Sequence, residues 1–321
     1  MNMLISIIII VGILLPVAFF TLAERKIMGS IQRRYGPNVV GVFGILQPFA
    51  DGLKLLFSEV FIPKRSSRFL YFIGPFLVFL TSFINWAFIS FSYDDVLCDL
   101  NYSLIYVYLI MSFGVYGIIL AGWVSGSRYS FIGSIRSLAQ MVSYEAPLGV
   151  IFLIIILISQ SVNIIDIIDY QAQTVWFIGP IFPLIFVSIV SFLAENNRAP
   201  FDLPEAEAEL VAGYNLEYSS IPFALFFLGE YANMMISSGL FTLFFLAGWI
   251  PIYESWQKIL GVSVELIFFL KMSLVWFLMI FARASYPRYR FDHLLRIGWY
   301  ILVPVAFLIY LWCINFVVST V

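Results

Sequence analysis

Histidine, cysteine and charge are scarce in this sequence, and each scarcity excludes a class of function. Of its 321 residues, one is histidine, two are cysteine and 11% are charged. Because Cys98 and Cys313 stand apart from each other and from the histidine, no ligand spacing for zinc, an iron–sulfur cluster or haem is present. His293 lies in an arginine-rich stretch and cannot complete a Ser/His/Asp set, and no glycine-rich phosphate loop occurs. Metal, hydrolytic and nucleotide chemistry are therefore not expected within this chain.

Apolar residues make up 62% of the chain, which is too many for an ordinary water-soluble domain. A helix that crosses the hydrocarbon layer needs about 20 apolar residues, and uncharged windows of that size recur along the sequence. Runs such as Ile7–Ile10 and Ile154–Leu157 do not alternate as the strands of a membrane barrel do. The sequence predicts an all-α polytopic membrane protein with about eight transmembrane helices and amphipathic helices in the matrix-side loops. The windows are Met3–Ala23, Phe69–Ser92, Asn101–Val124, a span within Gln140–Ile165, Thr174–Ala194, Ile221–Leu246, Leu266–Ala282 and Ile297–Val317.

Basic residues are unevenly distributed over the connections between these windows. The odd-numbered connections hold fifteen Lys and Arg residues, and the even-numbered connections hold one, Lys258. By the positive-inside rule, the odd connections lie on the cytoplasmic or matrix side and both termini lie on the opposite side. We expect one membrane domain over residues 1–321 with two functional loops on the positive side, at 24–68 and 195–219. The first window lacks the flanks of a signal or transit segment, which fits synthesis inside an organelle or a bacterium.

The segment Glu195–Glu209 carries five carboxylates on the side of the membrane where basic residues prevail. A solvated acidic loop would explain the charges, but apolar side chains such as Phe201 lie among them and favour burial. Glu205 and Glu209 are four residues apart and would share a face if Pro204 begins a helix. A charged first helical turn is the plainer alternative, although three glutamates in five residues exceed what it requires. The segment therefore predicts side chains that exchange protons.

Three ionisable residues fall inside or beside the predicted spans. Glu230 interrupts thirty-five otherwise uncharged residues, so few helix placements leave it exposed. Glu145 lies two turns inside its helix if that helix begins near Leu138, but at the surface if the helix begins only at Ala146. Lys271 either extends its ammonium group to the membrane surface or serves as a countercharge. Because intramembrane ionisable residues mark ion or substrate pathways, we expect Glu230 and Glu145 to belong to a proton path.

The first connection contains the pattern of an amphipathic helix. An interfacial helix on the membrane surface is the plain interpretation. The alternative is that this helix walls a cavity at the membrane surface, where an apolar, ring-bearing ligand enters. Asp51 and Lys54 lie away from the apolar stripe, which consists of Ile45, Phe49, Leu53, Leu56 and Phe57.

Several short motifs occur in an order and spacing that resemble one family over almost the whole chain. They are Ala23-Glu24-Arg25-Lys26, Arg34-Tyr35-Gly36-Pro37-Asn38, Gln47-Pro48 with Asp51-Gly52 and Lys54, Ser143-Tyr144-Glu145, Glu195–Glu209 with Gly213-Tyr214-Asn215 and Glu217-Tyr218, and Pro287-Arg288-Tyr289-Arg290-Phe291-Asp292. This set resembles subunit 1 of NADH:ubiquinone oxidoreductase, the respiratory complex I membrane subunit next to the quinone site. The family implies eight spans with both termini away from the matrix. A related subunit of a membrane-bound hydrogenase is the alternative. An independent ion or solute transporter and a passive membrane anchor for a hydrophilic enzyme are further interpretations.

The resemblance implies a role for individual residues. In this family the subunit forms much of the chamber that admits the quinone, and a chain of acids links quinone reduction to proton translocation through the membrane arm. Arg198 would pair with one or more of the loop acids. The implied chamber or entrance residues are Glu24, Arg25, Arg34, Asp51, Phe57, Phe227 and Arg283. The implied proton path consists of Glu145, Glu195, Asp202, Glu205, Glu207, Glu217 and Glu230.

The resemblance also implies which components lie outside this chain. No cofactor and no complete catalytic site are expected in this chain alone, and ubiquinone is the substrate. NADH, FMN and the iron–sulfur clusters are expected in partner subunits. The implied partners are the hydrophilic iron–sulfur and quinone-site subunits, neighbouring small membrane subunits and the lipid bilayer, with no nucleic acid. The implied location is the mitochondrial inner membrane, as a multi-pass protein, or alternatively a bacterial plasma membrane.

Overall fold

Helices form the regular elements of the computed structural model, which describes residues 3–64, 66–93, 97–202, 213–251 and 263–320. No strand occurs in these ranges, so the predicted all-α class is confirmed. Two 3₁₀ turns, at Val42–Gly44 and Gly213–Asn215, and a π-helical segment at Ile297–Leu302 interrupt the α-helices. The α-helices are α1 (Met3–Ile31), α2 (Gln47–Phe57), α3 (Arg68–Asn85), α4 (Ser103–Val124), α5 (Arg128–Ser159), α6 (Ile164–Gln173), α7 (Phe182–Glu195), α8 (Ser220–Phe245), α9 (Val264–Ser285), α10 (Phe291–Arg296) and α11 (Val303–Thr320).

Five helical stretches in the described ranges are long and apolar enough to cross a membrane. They are α3, α4, α5, α9 and the continuous stretch of α10 and α11. This composition confirms the prediction of a polytopic membrane protein, whereas the number of eight spans stays a prediction. The window Thr174–Ala194 was too long, because it contains Pro180 and Pro183 and its helix, α7, begins only at Phe182. Proline is favoured in the first turn of a helix and is costly in its interior.

Helix α5 begins at Arg128, well before the predicted start near Leu138. Its N-terminus is capped by the side chain of Ser127, which accepts a hydrogen bond from the Ser130 backbone N–H at 3.2 Å. The first half of α5 buries serine and glutamine side chains, and these polar residues hid it from a prediction based on hydropathy. The long helix places Glu145 in its interior. The alternative in which this helix begins only at Ala146 is therefore wrong.

Helices α3, α4 and α8 pack closely because glycines lie at their contacts. A Cβ atom at Gly117 of α4 would lie 2.6 Å from Val78 Cγ2 of α3 and 3.0 Å from the Gly74 carbonyl oxygen. A Cβ atom at Gly229 of α8 would lie 2.9 Å from Val78 Cγ1. Small residues allow the backbones of membrane helices to approach one another. Helix α3 thus packs closely against both α4 and α8.

Lys271 of α9 is held by the chain that follows α8. Its Nζ donates hydrogen bonds to the carbonyl oxygens of Leu246 at 2.6 Å, Gly248 at 2.9 Å and Ile250 at 2.6 Å. An ammonium group has three donors, and these three bonds use them all. The ammonium also lies 4.4 Å from the centroid of the Trp176 ring. Lys271 thus caps backbone carbonyl groups, a role that differs from both predicted roles.

The amphipathic pattern of the first connection does form a helix, α2, and this prediction is confirmed. Pro48 lies in its first turn, where proline needs no intrahelical donor. Helix α2 packs against α1 and α8, and the ring of Phe49 meets the ring of Phe19 edge-on at 6.0 Å. Much of the apolar stripe stays exposed, most of all at Phe57. The helix therefore presents an apolar surface beside the ends of α1 and α8.

Candidate functional site

Glu24 lies at the centre of a buried ionic network that is built from four separate segments. It is close to the C-terminal end of α1 and is only 3% exposed. Arg283 of α9 donates from Nη1 to Glu24 Oε1, and Arg198, in the turn after α7, places Nη1 3.5 Å from the same oxygen. Tyr231 of α8 donates its hydroxyl to Glu24 Oε2 at 2.6 Å. One carboxylate therefore joins α1, α8, α9 and the turn after α7.

The electrostatic surroundings keep Glu24 ionised. Glu24 follows the apolar segment of α1. Burial by itself would raise the pKa of its carboxyl, but the Arg198 and Arg283 guanidinium groups outweigh burial and hold the pKa below its usual range. The Arg198 guanidinium also lies 4.3 Å from the centroid of the Tyr231 ring, as a cation–π contact. A lowered carboxyl pKa stabilises the folded state above the unfolded pKa, and that contribution is lost as the pH falls through the folded pKa. The network is therefore intact at neutral pH.

A cavity of about 580 Å³ borders this network. Glu24, Arg25, Arg34 and Arg283 line it, and all four are predicted chamber residues. Tyr231 also lines this cavity, beside Glu24. The cavity therefore brings together cationic side chains, one anion and a phenol hydroxyl, which suits the recognition of a polar group.

A second cavity, of about 350 Å³, lies between α1, α2 and α8. It shares Arg25 and Tyr231 with the first cavity, so the two adjoin, and it is lined by the predicted residues Asp51 and Phe227. Arg25 Nη1 lies 2.7 Å from Asp51 Oδ2, and Gln47 Nε2 donates to Asp51 Oδ1 at 2.9 Å. An exposed pair of this kind adds little stability, but it fixes α2 beside α1 at the cavity.

Phe57 is the one predicted chamber residue that lies outside both cavities. It ends α2 and is 85% exposed. The motif placed it correctly on the amphipathic helix, but the direction of its ring depends on how α2 is docked. In the structure, this ring adds to the exposed apolar surface of α2.

The turn that begins the acidic segment, residues 195–202, is buried throughout. Gln140 of α5 holds it, because its Nε2 donates to the carbonyl oxygens of Ala194 at 2.8 Å and Phe201 at 2.7 Å. The Phe201 ring also stacks on Tyr289 at 5.5 Å. The expectation that apolar residues bury this segment is confirmed over residues 195–202. Residues 203–212, which include Pro204, Glu205, Glu207 and Glu209, lie outside the described residues.

The buried acids and arginines of this turn have partners on distant helices. Asp202 is buried, and Arg288, in the stretch between α9 and α10, places Nη2 3.3 Å from its Oδ2. Arg198, which was predicted to pair with loop acids, contacts Glu24 of α1. The loop acids Glu205, Glu207 and Glu209 are not among the described residues, so pairing of Arg198 with a loop acid stays a prediction.

Glu145 and Glu195 approach each other where α5 meets the end of α7. The Glu195 carboxyl is 6% exposed and lies close enough to Glu145 for the two charges to interact. Tyr108 of α4 donates its hydroxyl to the Glu145 carbonyl oxygen at 3.1 Å. Among the described residues, Glu145 Oε1 and Glu195 Oε2 have no hydrogen-bond partner. The carbonyl oxygen of Glu217 accepts a hydrogen bond from the Tyr71 hydroxyl of α3 at 2.9 Å.

Glu230 faces a small cavity of about 30 Å³ in the helix bundle. The Tyr214 hydroxyl donates a hydrogen bond to Glu230 Oε1. Glu195 lines the same cavity, as do the asparagines Asn85 and Asn233. The cavity therefore brings together two of the predicted proton-path acids, Glu195 and Glu230, among asparagine and apolar side chains of α3, α4 and α8.

One turn of α8 serves both regions, because Glu230 and Tyr231 are consecutive residues. Successive side chains on an α-helix point about 100° apart. Glu230 lines the small cavity, whereas Tyr231 lines both larger cavities and bonds to Glu24. The larger cavities and the interior acids are thus separated by the width of one helix.

Comparison with known proteins gives this geometry a family. The NADH dehydrogenase family matches residues 4–314, which is nearly the whole chain. The chain belongs to the NADH dehydrogenase family. The resemblance inferred from the short motifs is therefore confirmed.

Relatives in the NADH dehydrogenase family come from eukaryotes and bacteria. The NADH-ubiquinone oxidoreductase chain 1 of Arabidopsis thaliana is 52% identical over 303 residues, which cover 93% of this chain and 91% of the relative. A subunit of the NADH-quinone oxidoreductase of Rhodospirillum rubrum is 49% identical over 298 residues, which cover 92% and 88%. The NADH-ubiquinone oxidoreductase chain 1 of Dictyostelium citrinum is 49% identical over 312 residues, covering 97% and 93%. The predicted class, a subunit of an NADH–quinone oxidoreductase, is confirmed by these relatives.

Potential metal ligands are dispersed in this family member. In the part of the chain that the structure describes, no group of three or more His, Cys, Asp and Glu side chains is placed to hold a metal ion. His293 is exposed on α10, Cys98 is exposed and Cys313 is buried. We therefore assign no set of metal ligands within the described ranges.

Three residues of the site were not predicted from the sequence. Tyr231 follows the predicted Glu230 directly, so a phenol next to an intramembrane acid was an available signal. Tyr214 lies in the quoted Gly-Tyr-Asn motif, but only the fold shows that its hydroxyl reaches Glu230. Asn85 carries no charge and stands in an apolar helix, so the pattern of charges gave no sign of it.

Proposed function

We propose that this chain is the core membrane subunit of a proton-pumping NADH:quinone oxidoreductase, and that it forms much of the quinone-access chamber. Family membership supports the parent enzyme, and the two adjoining cavities support the chamber. The observation that carries the link to proton translocation is the pair Glu230 and Tyr231 on one turn of α8. This pair connects the Glu24 network with the interior acids.

The chemistry of the two large cavities fits a quinone. The cavity between α1, α2 and α8 includes apolar side chains such as Phe223 and Phe227, which suit an apolar ring and tail. The adjoining cavity offers the guanidinium groups of Arg25, Arg34 and Arg283, which are hydrogen-bond donors for the quinone oxygens. Reduction of a quinone to a quinol consumes two electrons and two protons. In this proposal the electrons come from an iron–sulfur cluster of a partner subunit, and NADH and FMN also act in partner subunits.

The acids carry the second half of the proposed function. Reduction of the quinone alters the charge or conformation of the acidic segment that begins at Glu195, and this drives proton movement towards Glu230 and Glu145. The electrostatic contact between Glu195 and Glu145 supports this route, as does the cavity that Glu195 shares with Glu230. Buried carboxyl groups exchange protons near neutral pH when burial and a neighbouring acid disfavour the charged form. Asp202, Glu205, Glu207 and Glu217 would complete the route on the chamber side.

The surroundings of the chain follow from the same proposal. We infer a location in the mitochondrial inner membrane, with a bacterial plasma membrane as the alternative. The apolar helices support membrane insertion, and the relatives include eukaryotic and bacterial proteins. Its partners are hydrophilic subunits with iron–sulfur clusters and the quinone site, and small membrane subunits beside its exposed helix faces. No metal or redox cofactor is assigned to this chain itself.

Substitution Glu230→Gln tests the proton route. Glutamine keeps the size of the side chain and an oxygen that accepts the Tyr214 hydrogen bond, but it cannot release a proton. In the intact complex in proteoliposomes, we expect proton translocation coupled to NADH oxidation to fall by about 100-fold, since a positioned proton-transfer group contributes at least that factor. The measurement is the initial rate of proton uptake per quantity of assembled complex.

The matched control for this experiment is Glu265→Gln. Glu265 is exposed in the first turn of α9, so its loss removes a glutamate charge away from the cavity. We expect this variant to keep normal rates. Full proton pumping together with normal quinone reduction in Glu230→Gln would sink the proposed route.

A photoreactive quinone tests the chamber. Because the two large cavities contain Glu24, Arg25, Asp51 and Phe227, we expect crosslinks in the 24–57 region and in the first turns of α8. Excess unlabelled quinone should compete with the labelling, and mass spectrometry of the digested complex locates the crosslinks. Labelling confined to a partner subunit would contradict the chamber proposal and would mean that this chain only borders the quinone site.

A further inference from the structure

Four buried polar atoms without partners belong to residues that line the small cavity. They are Asn85 Nδ2, Asn85 Oδ1, Glu195 Oε2 and Asn197 Oδ1, and none of them has a hydrogen-bond partner among the described residues. Asn85 is 1% exposed. Buried polar atoms are almost always hydrogen-bonded, to protein or to ordered water. So many unpaired atoms around one cavity indicate that the cavity holds a ligand.

The volume and chemistry of the cavity identify that ligand as water. A water molecule needs roughly 10–15 Å³ of this kind of space and two to four polar partners. The cavity has about 30 Å³, which is room for one or two water molecules. Three of the unpaired atoms are acceptors, and a bound cation would satisfy these. A cation would leave the donor Asn85 Nδ2 unpaired, whereas water both donates and accepts.

We propose that Asn85 is a positioning residue that holds a short chain of water molecules between Glu195 and Glu230. This inference rests on the proposed proton route and adds a connection between the two acids, which both line the small cavity. The Asn85 Nδ2 donates to one water and its Oδ1 accepts from a water. The waters then accept and donate protons between the two carboxyl groups.

The position of Asn85 fits this role. It is the last residue of α3, about 25 Å along the helix axis from Arg68. Its neighbour one turn earlier, Thr81, also lines the cavity, but the Thr81 hydroxyl already donates to the carbonyl oxygens of Leu77 and Val78, at 3.0 and 3.1 Å. Asn85 therefore offers the uncommitted donor on the α3 side. Asn85 lines the small cavity together with Glu195 and Glu230, and it does not line either of the two larger cavities.

The direct test is a map of the assembled complex at a resolution that shows ordered water. We expect density for one or two water molecules within hydrogen-bond distance of Asn85 Nδ2 and Glu195 Oε2. Density should be absent from this place in Asn85→Leu, whose side chain has a similar size and no polar atom. An empty cavity in the unsubstituted complex would overturn the proposal. So would a metal cation coordinated only by the oxygen atoms.

The functional test compares three variants of α3 in the assembled complex. Asn85→Leu should lower the rate of proton translocation by about tenfold, which corresponds to about 1.4 kcal/mol, the scale of one lost hydrogen bond. Asn85→Ser should restore most of the rate, because its hydroxyl and the added space accept another water. Ser82→Ala is the control, because Ser82 is buried on the same helix, bonds to Phe79 within α3 and does not line the cavity.

The outcomes separate this inference from the proposed function. If Glu230→Gln stops translocation while Asn85→Leu pumps normally, the acids carry the route and the role of Asn85 is refuted. If both variants pump normally, the proposed route itself fails. If Asn85→Leu does not assemble, the test relies on the water density in the unsubstituted complex and on the rate of proton translocation in Asn85→Ser. A complete loss of proton translocation in Asn85→Ser would overturn the role of Asn85. Rescue by serine would support it, because a purely structural role gains nothing from a smaller polar side chain.

Discussion

Glu24→Gln is expected to remove most quinone reductase activity and to lower the amount of assembled complex. The substitution keeps the shape of the side chain but removes the negative charge of Glu24, which faces Arg198 and Arg283. Breaking a buried charge pair from one side costs about 3–5 kcal/mol, because a charge stays buried without its counterion. The Tyr231 hydroxyl would still find an oxygen acceptor, so the loss reports on charge. Native gels measure assembly, and NADH:quinone reductase assays measure the rate per assembled complex.

The control for this variant is Glu59→Gln, since Glu59 is an exposed glutamate in the same connection. It should behave like the unsubstituted protein.

The pH dependence provides a second check. Because the Glu24 pKa is lowered, the charge of the network stays constant over the neutral range, and its contribution is lost only as the pH falls through that lowered pKa. Two results would contradict this account. One is a normal KM for quinone in Glu24→Gln; the other is a KM for quinone that changes steeply near neutral pH in the unsubstituted complex but not in Glu24→Gln.

Gly117→Leu is expected to have the other large effect, through the packing of α3 on α4. The added Cβ would lie 2.6 Å from Val78 Cγ2 and 3.0 Å from the backbone oxygen of Gly74. Overpacking typically costs 1–3 kcal/mol, and a clash with backbone cannot be relieved by a rotamer change, so we expect about 3 kcal/mol or more. Separating α3 from α4 would also displace Thr81 and Asn85 from the small cavity. Thermal inactivation of the purified complex measures the loss.

Gly52→Ala is the matched control for a glycine substitution in a helix. A Cβ at Gly52 of α2 would meet nothing within 4 Å, and alanine favours a helix over glycine by about 1 kcal/mol. This variant should be as stable as the unsubstituted protein or slightly more stable. Equal stability of Gly117→Leu and Gly52→Ala would mean that the close contact of α3 and α4 is not essential.

Hydropathy located most helices because a helix in lipid must be apolar over its length. The same rule fails where the polar groups of a helix are buried against protein, as in the first half of α5, which begins at Arg128. The short helix α6, at Ile164–Gln173, was also missed, because it is too short for a span and its Asp166 and Asp169 interrupt the apolar pattern.

The partners of Glu24 could not be found from the sequence. They lie 174, 207 and 259 positions away, at Arg198, Tyr231 and Arg283. Such contacts depend on how the helices pack, and no local pattern encodes that packing. The resemblance did group Glu24, Arg25, Arg34 and Arg283, which line one cavity in the structure. The resemblance could not show that Phe57 points away from both cavities, because its direction depends on the docking of α2.

Glu230 and Tyr231 lie on one turn of α8, so the proposed function couples binding in the larger cavities to protonation in the small cavity. In the proposed mechanism, a rotation of α8 about its axis would move both side chains together. A quinone in the larger cavities that favoured one rotational setting would then also select the surroundings of the Glu230 carboxyl group. Thermodynamic linkage requires the reverse effect as well: protonation in the small cavity changes binding in the larger cavities by the same coupling free energy. A high proton concentration on one side of the membrane would then change the affinity of the chamber for its occupant. On this account, back pressure from the proton gradient acts on substrate binding through a single helix.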